Sequence, residues 1–204
     1  MYGARRNLNE QEFHWRDSQF LMPFYTSIPG FGGRQSAKIW VPLDDEHTMV
    51  WEPNWSMGEE LSPSQQKGWD NRIPPSGFKP DTTDWLGRAR FWADETNDFY
   101  IDRERQKNVN FTGFEESNPI QDGGIQVTMG KIYDRTKEHL GTTDATIVQV
   151  RKKLIQAAKA FRDTGEAPVG VDKPELYRLH GAEFALDRQK DWTEYSADLV
   201  RAMK

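Results

Sequence analysis

The hydrophobic period of this chain changes once, and that change limits what it can fold into. Between residues 13 and 55, apolar and polar residues alternate, which is the period of a half-buried strand. From about residue 119, apolar residues recur every third or fourth position, the period of an amphipathic helix. Strands first and helices after predict an α+β architecture with helices packed on an antiparallel sheet.

A strand is expected over 13–27, FHWRDSQFLMPFYTS, with Phe20, Met22 and Phe24 on one face. Residues 28–33 read as a turn. A second strand is expected over 37–43, with Ile39, Val41 and Leu43 on one face, and a third over 47–55. The acidic turn Asp44-Asp45-Glu46 joins them into an antiparallel hairpin. Residues 56–97, rich in Pro, Gly, Ser, Asp and Trp, read as a long irregular excursion of the kind that often carries function. A helix is expected over 120–140. A second begins at a Thr142 or Thr143 cap, carries the stripe Ile147, Val150, Leu154, Ala157 and Phe161, and stops at Gly165. Residues 168–174 read as a linker and 183–204 as a charged helix. The domain expectation is therefore a body over 1–165 and a linker with a C-terminal helix over 166–204.

Composition narrows the function classes. A chain of 204 residues can bury a core, and with 36% hydrophobic residues and eight Trp that core is expected to rest on few large side chains. The net charge of −5 and the lack of a basic patch argue against a nucleic-acid partner. No apolar run reaches the roughly 18–20 residues of a membrane span. The polar start does not read as a signal peptide, so a cytoplasmic location is expected. There is no cysteine, hence no disulfide and no thiolate chemistry. Neither a Gly-x-Ser-x-Gly elbow nor a phosphate-binding Gly-Lys loop is present, which disfavours a self-contained hydrolase.

Four segments occur in a telling order: FLMPFYTSIPG at 20–30, IWVPLDDEHTMVW at 39–51, NDFYIDRERQKNVNFTGF at 97–114, and NPIQDGGIQVTMGKIYDRTKEHLGTTD at 118–144. Together they resemble the catalytic domain of Rieske-type aromatic-ring-hydroxylating oxygenase alpha subunits, of the phthalate and phenoxybenzoate dioxygenase group. The resemblance implies a helix-grip fold, START/Bet v 1-like: a curved antiparallel sheet around long helices with a substrate cavity, here incomplete at its N-terminus. It also implies a mononuclear Fe(II) held by two His and one carboxylate, and a [2Fe–2S] cluster held by two Cys and two His. The implied partners are an aromatic small-molecule substrate, an upstream Rieske domain, a reductase and other copies of the chain in a homo-oligomer, a trimer in relatives.

Without cysteine this chain cannot build the Rieske cluster. Its four histidines, His14, His47, His139 and His180, are far apart in sequence and match neither iron imidazole. His139 is expected to close the long helix, where histidine suits the helix dipole. The third ligand does have a match. Within the Gln121-Asp122 and Met129-Gly130 pattern, Asp122 is the metal-site carboxylate that the resemblance implies; from the residues alone it reads as a helix N-cap. Gly123 and Gly124 are poor helix formers, and Val127 and Thr128 depart from the Glu and Ser that relatives often carry. Gln126, Met129 and Tyr133 follow Asp122 by i+4, i+7 and i+11 and are candidates for the cavity lining, together with Phe20, Met22, Phe24, Trp40 and Trp51. The pairs Asp102-Arg103 and Asp134-Arg135 are expected to form ion pairs tying helices to the sheet. On this reading the chain is the C-terminal portion of an oxygenase catalytic domain, hydroxylating or O-demethylating aromatic compounds, and is inactive in isolation. The alternative is a metal-free helix-grip module for a hydrophobic ligand. Met1 lies only a few residues ahead of a family-like segment, which favours the portion over the module.

Overall fold

The computed structural model describes residues 1–29, 34–56, 60, 62–70, 74–115 and 117–201. The chain divides into two compact units, Met1–Glu59 with Thr136–Lys204, and Glu60–Arg135.

The first unit is built on a seven-stranded sheet. Its strands are β1 (Tyr2–Asn7), β2 (Glu12–Leu21), β3 (Tyr25–Pro29), β4 (Arg34–Pro42), β5 (Thr48–Trp51), β6 (Asn54–Ser56) and β7 (Ala182–Asp187). The order is β1-β2-β3-β4-β5, with β6 paired to β4 and β7 to β2. Every pairing is antiparallel, as expected.

The strand expected over 13–27 is two strands. The chain turns at Met22–Phe24, where Pro23 has no N–H to offer a ladder. The expected hairpin is present, and Asp44 organises it: its Oδ1 accepts from the amides of Glu46 and His47, each at 2.8 Å. Its outer strand is broken into β5 and β6 around Pro53, whose carbonyl still accepts from the Ala37 amide at 3.1 Å. β1 was not foreseen, because Tyr-Gly-Ala-Arg-Arg-Asn shows no alternation of large apolar residues.

The helix expected over 183–204 is a strand followed by a short helix. Ala182, Phe184 and Leu186 are buried at period two in β7, and α5 spans Trp192–Leu199. Asp191 caps α5, its side chain accepting from the amides of Thr193 and Glu194. This returning segment covers one face of the sheet. Trp15, Phe184, Leu186, Ala182 and Val200 form the core, with Phe13, Leu179 and Trp192 against it. Trp15 and Trp192 stack at 5.0 Å. That stack needs Gly3, since a Cβ there would stand 2.7 Å from the Trp192 ring. The same face buries polar side chains, among them Asp17, Gln19, Ser27 and Ser196.

The long helix α4 (Ala145–Thr164) forms where expected. Gly165 ends it in the left-handed region, at φ 73°, and donates its N–H to the Phe161 carbonyl. The N-cap is Asp144 rather than either threonine, and Asp144 accepts from the Gly141 amide at 2.8 Å. None of the residues of α4 is fully buried; Ile147 and Phe161 of the expected stripe are 46% and 60% exposed.

The second unit holds three helices among the described residues. α1 (Pro63–Asp70) lies inside the stretch expected to be irregular, and α2 (Arg103–Asn108) and α3 (Asn118–Thr128) follow. The core is Ala93, Phe99, Phe114 and Ile120, with Phe91 and Ile101 packed on it. Gly124 of α3 sits on the Phe114 ring, where a Cβ would come within 2.9 Å. Asp98, Phe99 and Tyr100 all lie in the left-handed region, φ 50–53°, a run that only surrounding packing can hold.

α3 is shorter than the expected helix of 120–140. Two glycines weaken it, the Thr128 hydroxyl donates back to the carbonyls of Gly124 and Ile125 at 2.9 and 3.1 Å, and Gly130 turns the chain at φ 87°. His139 therefore closes no helix. Ser117 is the N-cap, and Asp122 lies inside α3 rather than capping it.

Candidate functional site

α3 has two characters. Ile120 and Gly124 point into the core of the second unit, held by Phe99 and Phe114. Asp122 is exposed, and Gln126, one turn later, is exposed beside it on the same side. Two exposed aliphatic side chains share that side, Ile125 at 57%, three residues past Asp122, and Met129 at 47%, three past Gln126, whereas Val127, 47% exposed, lies well round the helix from Asp122. A carboxylate and an amide thus share a side of the helix with exposed aliphatic side chains. Tyr133 falls beyond the helix end, so the i+11 relation to Asp122 does not hold; its ring lies half-buried, 5.2 Å from the Arg135 guanidinium.

The sheet divides the other candidates between its two faces. Phe20 is the partner of Thr26 and Thr26 of Lys38, so Phe20, Lys38 and, two residues on, Trp40 share a face. The Lys38 ammonium lies 5.7 Å from the Trp40 ring centroid and pairs with Glu52 at 3.1 Å. Trp51 is the partner of Ile39, which puts it on the opposite face, 60% exposed. Met22 and Phe24 sit in the turn between β2 and β3. The Met22 carbonyl accepts from the Tyr177 hydroxyl at 2.8 Å, and the Phe24 ring lies 4.9 Å from that of Tyr25.

Three of the four histidines serve local structure in the first unit. His14 Nε2 meets Glu183 at 2.7 Å, His47 Nδ1 meets Asp44 at 2.9 Å, and His180 Nδ1 lies 2.7 Å from the Gly181 carbonyl, ahead of β7 rather than near a helix start. Asp102 caps α2 by accepting from the Arg105 amide at 2.9 Å, and Arg103 pairs with Asp98 at 2.8 Å, so this Asp-Arg pair orders a helix start rather than tying a helix to the sheet. Among the described residues, no group of three or more His, Cys, Asp or Glu stands together to hold a metal ion. Among the described residues the donors present do not fit a mononuclear iron held by two imidazoles and one carboxylate.

Two features escaped the sequence reading. The first is Asp17, fully buried under α5, with Oδ1 accepting from the Gln19 amide nitrogen at 2.8 Å. Burial pushes its carboxyl above the ordinary value, against the hydrogen bond from Ser196. The second is a hollow of about 250 Å³ on β1 and β2, lined by Ala4, Arg6, His14 and Arg16. It became visible only once β1 was in place; the sequence signal was the spacing of His14 and Arg16 on one face of a strand.

Residues 3–204 match the family model described as LigXa C-terminal domain like. The chain is similar to the oxygenase subunit of 3-chlorobenzoate-3,4-dioxygenase from Comamonas testosteroni, 35% identical over 94% of this chain and 46% of that protein. It is also similar to the oxygenase subunit of phthalate 4,5-dioxygenase from Pseudomonas putida, 31% identical over 92% of this chain and 41% of that protein. The chain thus spans about half the length of the curated relatives it matches. Among the described residues no helix is long and apolar enough to cross a membrane.

Proposed function

Because the chain belongs to the LigXa C-terminal domain-like family, we propose that it is the substrate-side portion of the oxygenase subunit of an aromatic-ring-hydroxylating dioxygenase. Both named relatives are oxygenase subunits of dioxygenases whose names carry an aromatic carboxylate, and that supports a substrate of the same class here. The observation that carries the reading is the face of α3: Asp122 and Gln126 are exposed one turn apart beside Ile125, in a segment the family model covers.

On this reading Asp122 is the carboxylate ligand of a mononuclear Fe(II). Two imidazole ligands and a [2Fe–2S] cluster come from residues outside this chain. Bound iron would supply the site where oxygen is taken up beside the aromatic ring. The chain's own part is positioning. Helical spacing holds the Gln126 amide one turn from Asp122, in reach of a polar group on substrate or ligand. Ile125 and Met129 offer an apolar surface for a ring and keep water from it. A helix-grip arrangement of sheet and helices, a reductase and Rieske domain as electron donors, and a trimeric assembly complete the proposal.

Anaerobic Fe(II) titration tests it. The chain joined to the N-terminal half of the Comamonas relative should bind one mononuclear iron, and Asp122→Ala should abolish that binding while circular dichroism stays unchanged. Iron bound equally well by the Ala variant would remove Asp122 from the site and with it the reading.

A further inference from the structure

The helix α4 is basic in an acidic chain. It carries Arg151, Lys152, Lys153, Lys159 and Arg162 against Asp163 alone, while the whole chain has a net charge of −5. One side of it is also apolar. Val148 and Ile155, two turns apart, are 42% and 55% exposed, and with Leu140 they floor a groove of about 440 Å³. Lys152 and Lys159, again two turns apart, line one edge of that groove and form no ion pair among the described residues. Arg151 lines the other edge, where both of its terminal nitrogens donate to the Glu138 carboxylate, at 2.5 and 2.9 Å.

A matching surface stands on α5, in the same unit. Its inner side is the one that buries Ser196. The outer side shows Tyr195 and Leu199, 47% and 44% exposed, beside the exposed carboxylates of Glu194 and Asp198. α5 has no basic residue. Packing against Phe184 at 5.1 Å orients the Tyr195 ring, and Asp198 has only an exposed pair with Arg201, at 3.3 Å. We propose that these two surfaces form a contact between copies of this chain: Tyr195 and Leu199 of one copy lie in the α4 groove of a second, and Glu194 and Asp198 meet its Lys152 and Lys159. Both surfaces are exposed within a single chain, so neither covers the other there. Pairing α4 with α4 would set lysine against lysine, and α5 with α5 carboxylate against carboxylate. Only the crossed pairing joins opposite charges along an apolar seam. Each copy offers both halves, so the contact is reciprocated about a two-fold axis. It depends on neither Asp122 nor iron.

Sedimentation equilibrium of this chain tests the contact. The parent should pass from monomer to dimer as its concentration rises through the micromolar range, and added salt should weaken the dimer. Reversing the lysines, Lys152→Glu with Lys159→Glu, or the carboxylates, Glu194→Lys with Asp198→Lys, should raise the dissociation constant at least about tenfold. All four side chains are exposed, so each variant should melt with the parent. An equimolar mixture of the two variants sets opposite charges together again at both contacts and should restore the dimer. If one variant fails to fold, the other and the salt dependence of the parent still decide. A parent that stays monomeric, association indifferent to reversal and to salt, or a mixture no tighter than its components would each overturn the assignment. So would a monomeric chain that binds vesicles of anionic lipid through α4, which would make the groove a membrane surface.

Discussion

Asp17 is the residue whose surroundings most oppose its charge. It is 0% exposed, and burial raises its carboxyl above the ordinary carboxylate value. The folded state therefore holds the proton more tightly than the unfolded chain does. The stability this gives is full below the unfolded value and is lost as pH rises through the folded value. Asp17→Asn keeps the acceptor facing Gln19 and removes the charge. Its unfolding midpoint should exceed that of the parent at pH 7, with the gap closing toward pH 4. Asp94 runs the other way. The hydrogen bond from Lys79, joined by those from Thr96, lowers its carboxyl to about 2. Its contribution is present above the unfolded value and lost as pH falls toward 2. Lys79→Met should thus lose stability at neutral pH and flatten the acid limb of a pH–stability curve. Neither carboxylate was singled out from sequence, because what distinguishes them is a neighbour brought in by the fold.

At the scale of elements, local chemistry was legible and chain-distant packing was not. The Asp44 turn, the helix α4 and its stop at Gly165 depend on residues within a few positions of one another, and each formed as read, while the stripe of α4 is only half covered, with Ile147 and Phe161 exposed. The expected helix of 120–140 overran, because periodicity continues past Thr128 while the backbone does not. The segment 183–204 reads as helical by its charge, but Ala182, Phe184 and Leu186 follow period two, and β2 supplies the partner that makes them a strand. The candidate site divided in the same way: Asp122 and Gln126 share a face of α3, whereas Trp40 and Trp51 were parted by strand register, which no one-strand pattern reveals. The two glycines of α3 allow a direct test. A Cβ at Gly123 meets nothing within 4 Å, so Gly123→Ala should stabilise by about 0.5–1 kcal/mol. At Gly124 the same gain competes with a ring 2.9 Å away, and overpacking of about 1–3 kcal/mol should win. Urea denaturation of both variants distinguishes these signs.

Across the whole molecule, the longest connections are those made by the last quarter of the chain. β7 pairs with β2, the Gly181 amide donates to Ser27 at 3.0 Å, and the Tyr177 hydroxyl reaches the Met22 carbonyl. The core around Trp15 takes Phe184, Leu186 and Val200 from this segment. A chain ended at residue 172 should therefore lose cooperative unfolding and bind a hydrophobic dye, while Gly3→Ala, which only crowds Trp192, should fold with a melting point lowered by several degrees. The same connection sets an order of events during synthesis. At about 5–20 residues per second, β2 leaves the ribosome some ten seconds or more before β7 exists to pair with it. Through that interval the nascent chain carries Trp15 and the neighbouring ladder uncovered. The first half of this sheet thus has no lasting cover of its own until the last strand arrives.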